Sequence, residues 1–334
     1  MNIQLKRAGE RESGRAGENS TSAQSLNRSI AQSPRLRVAV PYLTLILGLA
    51  SIGLSAIFVK WANAPGAVSG FYRMAIAAAV MTIPFAISLR RAQLPITNYH
   101  LLFTNRHVLF AIIAGLFFAG DLATWNTAVL IGNAANATLF GNTAPVWVSF
   151  GALILFKEKL RPAFWGGLLF AMLGAGVILG GDFLQHPQIG IGDLLGLLVG
   201  FFYGMFFLAT ERARDQLSSL VSWWISAAVC ALALLALSIV FNQPLTGYPL
   251  ETWINLVVLA LVVQVIGWLL LNYALGHLPA SIVAPTLLMQ PVLTAIFGVP
   301  LLGQPISFVQ IIGGGLTLAG IFIVHIAKQK GERG

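Results

Sequence analysis

The feature that most constrains this chain is a succession of apolar runs, each about 20 residues long, between Ala39 and Ala327. A helix needs about 20 residues to cross the hydrocarbon core of a bilayer, which is roughly 30 Å thick. With 57% hydrophobic and only 9% charged residues, the chain of 334 residues has too few polar side chains to cover a water-soluble globule. The sequence therefore predicts an integral membrane protein.

We count ten such runs and expect each to be a helix. Several of them are rich in Leu, Ala, Gly and Phe and lack the alternation of apolar and polar residues that membrane β-strands show. The predicted fold class is an all-α integral membrane protein with ten transmembrane helices. The predicted spans are 39–61, 66–89, 108–131, 133–156, 162–181, 191–210, 219–241, 251–275, 280–302 and 308–327.

The N-terminal segment differs from the rest, because Ser, Arg, Gly, Glu, Asn and Gln dominate it. Such a segment buries too little apolar surface to offset the entropy of ordering, so residues 1–38 are predicted to be a disordered tail. This tail lacks the apolar stretch that a signal peptide requires. We therefore expect the first span to serve as the insertion signal.

The distribution of basic residues predicts the orientation. Of the 20 Lys and Arg residues, 18 fall on one side of a ten-span arrangement, and only Lys60 and Arg73 lie within or at the ends of spans. Basic loops stay in the cytoplasm, so we predict cytoplasmic tails at 1–38 and 328–334. The net charge of +9 then reflects topology and contact with the lipid bilayer. We expect no nucleic-acid partner.

The two halves of the apolar region repeat. A shift of 146 residues, without a gap, places the fourth span on the ninth and the fifth on the tenth. Each half then holds five spans, an odd number, so the second half enters the membrane from the opposite side, as in the inverted repeats of transporters. The predicted repeats are 39–181 and 191–327. The matched pairs are Asn126 and Asn272, Ala128 and Ala274, Ala134 and Ala280, Pro145 and Pro291, Val146 and Val292, Leu155 and Leu301, Gly167 and Gly313, and Gly174 and Gly320.

Pro145 and Pro291 fall inside corresponding spans, where a proline removes a backbone hydrogen bond and loosens the helix. Interrupted helices at equivalent places indicate the substrate site of a transporter, so both prolines are predicted hinges. The alternative is that they are kinks inherited by duplication and used only for packing.

Several segments resemble one family of membrane proteins. They are SAIFVKWA, SGFYRMAIAAA and WNTAVLIGNAANATLFGNTAPVWVSFGALILFKEKL in the first half, and GDLLGLLVGFFYGMFFLATERAR and NYALGHLPASIVAPTLLMQPVLTAIFGVPLLGQPI in the second. With five plus five spans, residues 39–327 resemble the EamA-type transporters of the drug/metabolite transporter superfamily. The resemblance implies a bacterial inner-membrane exporter of amino acids or other small metabolites, with a central cavity between the repeats. The family often carries Glu at the ends of the fourth and ninth spans. Here Glu158 is matched by Gln304, so a role that needs two carboxylates there is not expected.

Among the charged residues of the predicted spans, Asp121, Arg73 and Lys60 are the candidates for a functional role. Asp121 is about 10 residues, or roughly 15 Å, from either face, where a charge costs at least about 2.5 kcal/mol and should face a cavity or a partner. It is predicted either to carry a proton or to form a fixed ion pair with Arg73 or Lys60. Arg73 could snorkel to the interface, bind a substrate carboxylate or brace the helices. Lys60 is predicted to be an interfacial anchor or a pathway residue, and Glu158 and Glu211 at helix ends are expected to be solvated.

Amides and indoles form a stripe in each half. Asp121 and Trp125 stand four residues apart with Asn126 adjacent, and the eighth span repeats a polar or indole residue every four positions. Such stripes suit a cavity that binds a zwitterion and an apolar side chain. The alternative is hydrogen bonding between helices, which is common in membranes. The candidate cavity residues are Arg73, Asp121, Trp125, Asn126, Asn142, Tyr203, Gln264, Trp268, Asn272 and Gln290.

The sequence contains no motif of an enzyme nucleophile, and its five histidines fall in loops or near span ends at no metal-ligand spacing. We therefore expect no catalytic activity, no metal and no cofactor. The predicted function is secondary transport, in which a small-molecule substrate, an amino acid or similar compound, is exported by alternating access around a central cavity. H⁺ is the candidate coupling ion. The alternatives are efflux of a non-amino-acid metabolite, a nucleoside or a drug, and, outside this class, a channel or a scaffold.

Overall fold

A computed structural model of the protein describes residues 34–62, 64–91, 105–131, 139–179, 191–303 and 306–332. Every regular element in these ranges is a helix. In chain order they are α1 Pro34–Gly53, α2 Ser55–Ala62, α3 Gly66–Arg91, α4 Arg106–Ile131, α5 Ala144–Leu155, α6 Pro162–Leu179, α7 Ile191–Arg214, α8 Ser219–Val240, α9 Leu250–Val258, a π-helix Leu259–Gly267, α10 Trp268–Leu275, α11 Ala280–Thr286, a 3₁₀ turn Leu287–Met289, α12 Gln290–Leu302 and α13 Phe308–Glu332.

Nine helical stretches in the described ranges are long and apolar enough to cross a membrane. They coincide with nine of the predicted spans, so the prediction of a helical, multi-pass membrane protein is confirmed. Of the remaining predicted span, 133–156, the structure describes the shorter apolar helix Leu139–Leu155, and residues 133–138 lie outside the described ranges. The count of ten spans stays a prediction.

The helices at the two ends of the apolar region are longer than predicted. α1 begins at Pro34, so residues 34–38 of the predicted disordered tail are helical, which corrects that boundary. Proline is favoured in the first turn of a helix, where its missing N–H has no helical partner. Residues 1–33 lie outside the described ranges. α13 continues to Glu332, beyond the predicted end of the tenth span at Ala327.

Four of the described spans are not continuous α-helices. Irregular backbone is tolerated inside a membrane only where neighbouring protein or a water-lined cavity satisfies the freed polar groups. The carbonyl oxygen of Gly53, for example, accepts a hydrogen bond of 2.9 Å from the Oγ1 atom of Thr294 on α12. The interruptions are a turn at Leu54 in the first span, a turn at 142–143 before α5 in the fourth, the π-helix in the eighth and the 3₁₀ turn in the ninth.

Pro145 and Pro291 occupy the second positions of α5 and α12. A proline in a first turn removes no hydrogen bond from its helix, so the predicted loosening of these helices by their prolines is wrong in its mechanism. The ninth span has two interior prolines, Pro285 inside α11 and Pro300 inside α12. Pro285 lies two residues before the 3₁₀ turn. The break in this span therefore lies before Pro291.

α6 and α13 pack against each other through glycines. A Cβ atom at Gly320 would lie 2.6 Å from the carbonyl oxygen of Gly167, and a Cβ atom at Gly174 would lie 2.6 Å from that of Gly313. Because early residues of one helix meet late residues of the other, the two helices are antiparallel. Small residues permit such close approach of backbones, which provides much of the packing energy between membrane helices.

Candidate functional site

Arg73 and Asp121 are buried charges on two helices that pack together. Arg73 on α3 is 8% exposed and Asp121 on α4 is 7% exposed. The two side chains interact electrostatically, but the described part of the chain contains no direct ion pair between them. The Nε atom of Arg73 is buried without a hydrogen-bond partner. Asp121 therefore does not make the predicted direct pair with Arg73, and the side chain of Lys60 on α2 lies outside the described residues.

Tyr203 on α7 and Cys230 on α8 border the same two charges, since both lie within electrostatic reach of Arg73 and Asp121. The hydroxyl group of Tyr203 lies beside the side chain of Gln290, the first residue of α12. The break that precedes α12 places this amide at a helix start inside the span. The fold thus brings together four of the predicted cavity residues from helices of both halves, and these are Arg73, Asp121, Tyr203 and Gln290.

The eighth span contributes amides that have no partner. Gln264 in the π-helix and Asn272 in α10 are 0% and 1% exposed. Neither the nitrogen nor the oxygen of either side-chain amide has a hydrogen-bond partner, and the Nε2 atom of Gln290 is also buried without one. Buried polar groups are nearly always hydrogen-bonded, and each that is not costs about 1–3 kcal/mol. A small polar ligand or ordered water would satisfy these groups.

Aromatic rings pack around Trp268, which lies between the two amides on the eighth span and is itself buried. Its ring centroid lies 4.7 Å from that of Phe118 on α4 and 5.2 Å from that of Phe206 on α7. The ring of Tyr203 lies 6.1 Å away in an edge-on arrangement. The predicted stripe on the eighth span is therefore buried along its length, beside an aromatic wall.

The remaining predicted cavity residues lie on α4 and in the turn before α5. Trp125 is half-buried on α4, and Asn142 is half-buried in the turn before α5. The backbone of Asn126 belongs to α4, but its side chain lies outside the described residues.

Sequence reasoning missed a second polar region, at the end of the helices that carries Lys328. A cavity of about 450 Å³ opens there, which we call the basic-end cavity. The Oε2 atom of Glu158 accepts hydrogen bonds from Ser281 Oγ at 2.7 Å and from Lys328 Nζ at 2.5 Å. The expectation that Glu158 is solvated is therefore wrong. The residues that line the cavity are Glu158, Glu211, Arg214, Asp215, Leu275, Gly276, Leu278, Pro279 and Lys328.

Arg214 and Glu211 tie the connection between α10 and α11 to the end of α7. Arg214 donates from Nε to the carbonyl oxygen of Asn272 at 2.7 Å, and its guanidinium covers Gly276, where a Cβ atom would lie 2.6 Å from Cζ. Glu211 accepts a hydrogen bond of 2.9 Å from the backbone N–H of Ala280, at the start of α11. Arg214 thus stands between the basic-end cavity and the residue that carries one of the unpartnered amides. The sequence feature that could have indicated these contacts is the short connection 276–279, because it keeps the ends of the eighth and ninth spans close together.

Comparison with known proteins agrees with this architecture. The model of the EamA-like transporter family matches residues 40–180 and again residues 190–326, which confirms the resemblance seen in the sequence. A crystal structure with 20% sequence identity and a TM-score of 0.68 covers 89% of this chain and 99% of its own. At that identity the likeness concerns the fold.

Three curated relatives have names that describe transport. An uncharacterized transporter of Archaeoglobus fulgidus is 27% identical over 59% of this chain and 68% of its own length. The uncharacterized transporter YyaM of Bacillus subtilis is 23% identical over 78% of this chain and 86% of its own. A probable amino-acid metabolite efflux pump of Salmonella typhimurium is 27% identical over 53% of this chain and 62% of its own.

Proposed function

This chain belongs to the EamA-like transporter family, and we propose that it is a secondary transporter that exports a small metabolite, in the first place an amino acid, by alternating access. The observation that carries the choice of substrate is a pair of opposite buried charges without a direct ion pair between them, Arg73 and Asp121. An amino acid presents a carboxylate that Arg73 can bind and an ammonium group that Asp121 can bind. A nucleoside or a neutral drug matches neither charge.

The groups around this pair suit the rest of such a substrate. The unpartnered amide of Gln264 and the unpartnered Nε2 atom of Gln290 offer hydrogen bonds to polar atoms. The aromatic wall around Trp268 offers an apolar surface to a side chain. Binding sites for small molecules commonly combine a mostly apolar wall with a few convergent polar groups. We therefore favour amino acids with apolar side chains, and the name of the Salmonella relative points to the same substrate class.

Alternating access requires two related halves, and we propose that the two predicted repeats are inverted copies of five spans each, which together make ten. The glycine contacts support this arrangement. The shift of 146 residues equates Gly167 with Gly313 and Gly320 with Gly174. It therefore converts the contact of Gly167 with Gly320 into the contact of Gly313 with Gly174, and both contacts are present. A two-fold axis between the antiparallel helices α6 and α13 produces this exchange.

We further propose that the end carrying Lys328 faces the cytoplasm of a cell whose inner (plasma) membrane holds the protein. Basic residues of separate connections meet at that end. Lys328 bonds to Glu158, and Arg212 stacks on the ring of Phe156 at 3.9 Å and bonds through its carbonyl oxygen to His107 at 2.8 Å. Clustering of basic residues at one end is the cytoplasmic signature. A membrane-impermeant thiol reagent added outside should not label a cysteine placed at either chain end, and such labelling would overturn the orientation.

H⁺ is the proposed coupling ion, with Asp121 as its carrier. This carboxylate is buried and has no direct ion pair with Arg73. It can therefore take up and release a proton without breaking a bonded pair, as intramembrane carboxylates of proton relays do.

Counterflow in proteoliposomes tests the proposed function. Vesicles loaded with unlabelled L-leucine should transiently accumulate external radiolabelled L-leucine, which a carrier does and a channel does not. A panel of the other amino acids and of nucleosides then competes for the same flux. Saturable counterflow that only nucleosides inhibit would overturn the amino-acid assignment, and flux without counterflow would overturn the carrier. An untargeted comparison of metabolites released by cells with and without the protein gives an independent measure.

Two variants connect the flux to the proposed site. Arg73→Gln should reduce L-leucine counterflow at least about tenfold, since a charge-assisted hydrogen bond contributes about 1.5–3 kcal/mol. Arg212→Gln is the matched control, because the side chain of Arg212 is 39% exposed at the end of the helices. Equal flux in the two variants, at equal abundance, contradicts the assignment of Arg73 to the substrate site.

A further inference from the structure

The eighth span changes its helical register at the residue that carries a buried amide. α9 ends at Val258, the π-helix runs from Leu259 to Gly267, and α10 begins at Trp268. In an α-helix the N–H of Trp268 would bond to the carbonyl of Gln264, four residues earlier. Here it bonds to the carbonyl of Val263, five residues earlier, and to that of Val265, three residues earlier, and not to that of Gln264. π segments are rare, and they are frequently found at functional sites.

Trp223 on α8 donates a hydrogen bond to the carbonyl of Gln264, to which the N–H of Trp268 does not bond. Its Nε1 atom donates to the carbonyl oxygen of Gln264 at 2.7 Å, and both residues are 0% exposed. The ring of Trp223 also stacks on that of Trp268, with centroids 5.4 Å apart and an interplanar angle of 17°. The indole therefore contacts the π-helix at its end by a hydrogen bond and by ring stacking at once.

We propose that Trp223 is a positioning residue for Gln264, because its indole N–H holds the π register that keeps this amide in the substrate site. The inference rests on the proposed function. The π-helix packs on α3, the helix that carries Arg73. Without the indole donor, this segment alternates between the π register and the α register, in which the N–H of Trp268 bonds to the carbonyl of Gln264. That change rotates the side chain of Gln264 around the helix axis by about 100°, which is the angle between successive residues.

The neighbouring Trp224 provides a matched control. Its Nε1 atom also donates to a backbone carbonyl, that of Ala78 on α3, at 3.1 Å, and to Thr82 Oγ1 at 3.1 Å. Its ring stacks on Phe85 with centroids 4.0 Å apart. Ala78 lies inside a continuous α-helix, so its carbonyl keeps a backbone donor when the indole is removed. Trp224→Phe thus removes a similar hydrogen bond without freeing a helix to change register.

The first measurement is hydrogen–deuterium exchange of the protein in lipid nanodiscs, which needs no substrate. Trp223→Phe should speed exchange within 259–268 by about fivefold to tenfold, the equivalent of one hydrogen bond. Trp224→Phe should leave that segment unchanged. If Trp223→Phe does not fold, benzothienylalanine at position 223 keeps the bicyclic ring and removes only the N–H. The proposal is overturned if the exchange rate of 259–268 is unchanged in Trp223→Phe, or in the benzothienylalanine variant where only that one folds. It is also overturned if Trp224→Phe raises this rate equally.

The second measurement is L-leucine counterflow. Trp223→Phe should raise KM about fivefold to tenfold at nearly unchanged maximal rate, because it misplaces a binding group. Gln264→Ala should raise KM similarly, and adding Trp223→Phe to it should raise KM no further, since both act through one amide. Additive effects overturn the positioning role. Absence of counterflow in the parent protein refutes the proposed function instead. The hydrogen–deuterium exchange measurement then tests only whether Trp223 holds the π register.

Discussion

The close approach of α6 and α13 predicts opposite effects for the same substitution at two positions of one helix. In Gly320→Ala the new Cβ atom would lie 2.6 Å from the carbonyl oxygen of Gly167 and 2.7 Å from the Cα atom of Ala171, which are both backbone atoms. Backbone cannot rotate away, so the helices must separate by about 1 Å to reach ordinary van der Waals contact. In Gly315→Ala the Cβ atom meets nothing within 4 Å.

The magnitudes follow from two opposing effects. Overpacking a tight contact costs about 1–3 kcal/mol, whereas alanine in place of glycine stabilises a helix interior by about 0.5–1 kcal/mol. Gly320→Ala should therefore lower the free energy of unfolding by about 1–2 kcal/mol. Gly315→Ala should leave it unchanged or raise it by up to about 1 kcal/mol.

Equilibrium unfolding in mixed micelles of a mild detergent and SDS measures both variants against the parent protein. Gly166→Ala on α6 is a second control, because its Cβ atom also meets nothing within 4 Å, although the neighbouring Gly167 lies in the contact. If Gly320→Ala is as stable as Gly315→Ala, α6 and α13 do not approach closely enough for a Cβ atom at position 320 to meet the backbone of α6. The support that their contact gives to the inverted repeat would then be lost.

Three further substitutions test other parts of the structure. Gly276→Ala should displace the guanidinium of Arg214 that covers it, so a cysteine that replaces Asn272 in a cysteine-free protein should react several-fold faster with a thiol reagent from the basic end. An unchanged rate contradicts closure of this path by Arg214. Asp121→Asn breaks no direct ion pair with Arg73, so the protein should keep its abundance. L-leucine exchange should weaken because the substrate ammonium loses its charged partner, and the remaining transport should lose its pH dependence; a parental pH profile removes the proton role. Pro285→Ala restores a donor inside the broken ninth span and should slow counterflow more than Pro291→Ala, which alters only a first turn; the reverse order would place the hinge at Pro291.

Part of the candidate site could be predicted from the sequence. Arg73 and Asp121 stand out because a charge inside an apolar run is expensive and is retained for a partner or a function. The amides of Gln264 and Asn272 stand out for the same reason, although an amide inside an apolar run costs less free energy than a charge does. Their lack of hydrogen-bond partners could not be predicted, because in most membrane proteins such amides bond to a neighbouring helix. The π register around Gln264 has no local signal either, since Leu, Val and Ala suit an α-helix as well.

The sequence alone determined the membrane character of the protein, the helical class and the positions of the nine described spans. The physical reason is that a bilayer imposes the same length and apolarity on every helix that crosses it, whatever that helix packs against. Glycines at 167, 174, 313 and 320 could be matched in pairs, but the matching did not reveal that they touch.

Only the tertiary structure decided which faces of these helices meet. Lipid is as apolar as a protein core, so hydropathy does not separate buried from lipid-facing positions. Phe206 is 0% exposed and Phe308 is 75% exposed, although both lie in apolar runs. The register of the eighth span involves an indole 41 residues away in the sequence, and the guanidinium of Arg214 reaches a carbonyl 58 residues away. Such contacts arise when helices pack at particular angles and heights, which the composition of each helix does not record.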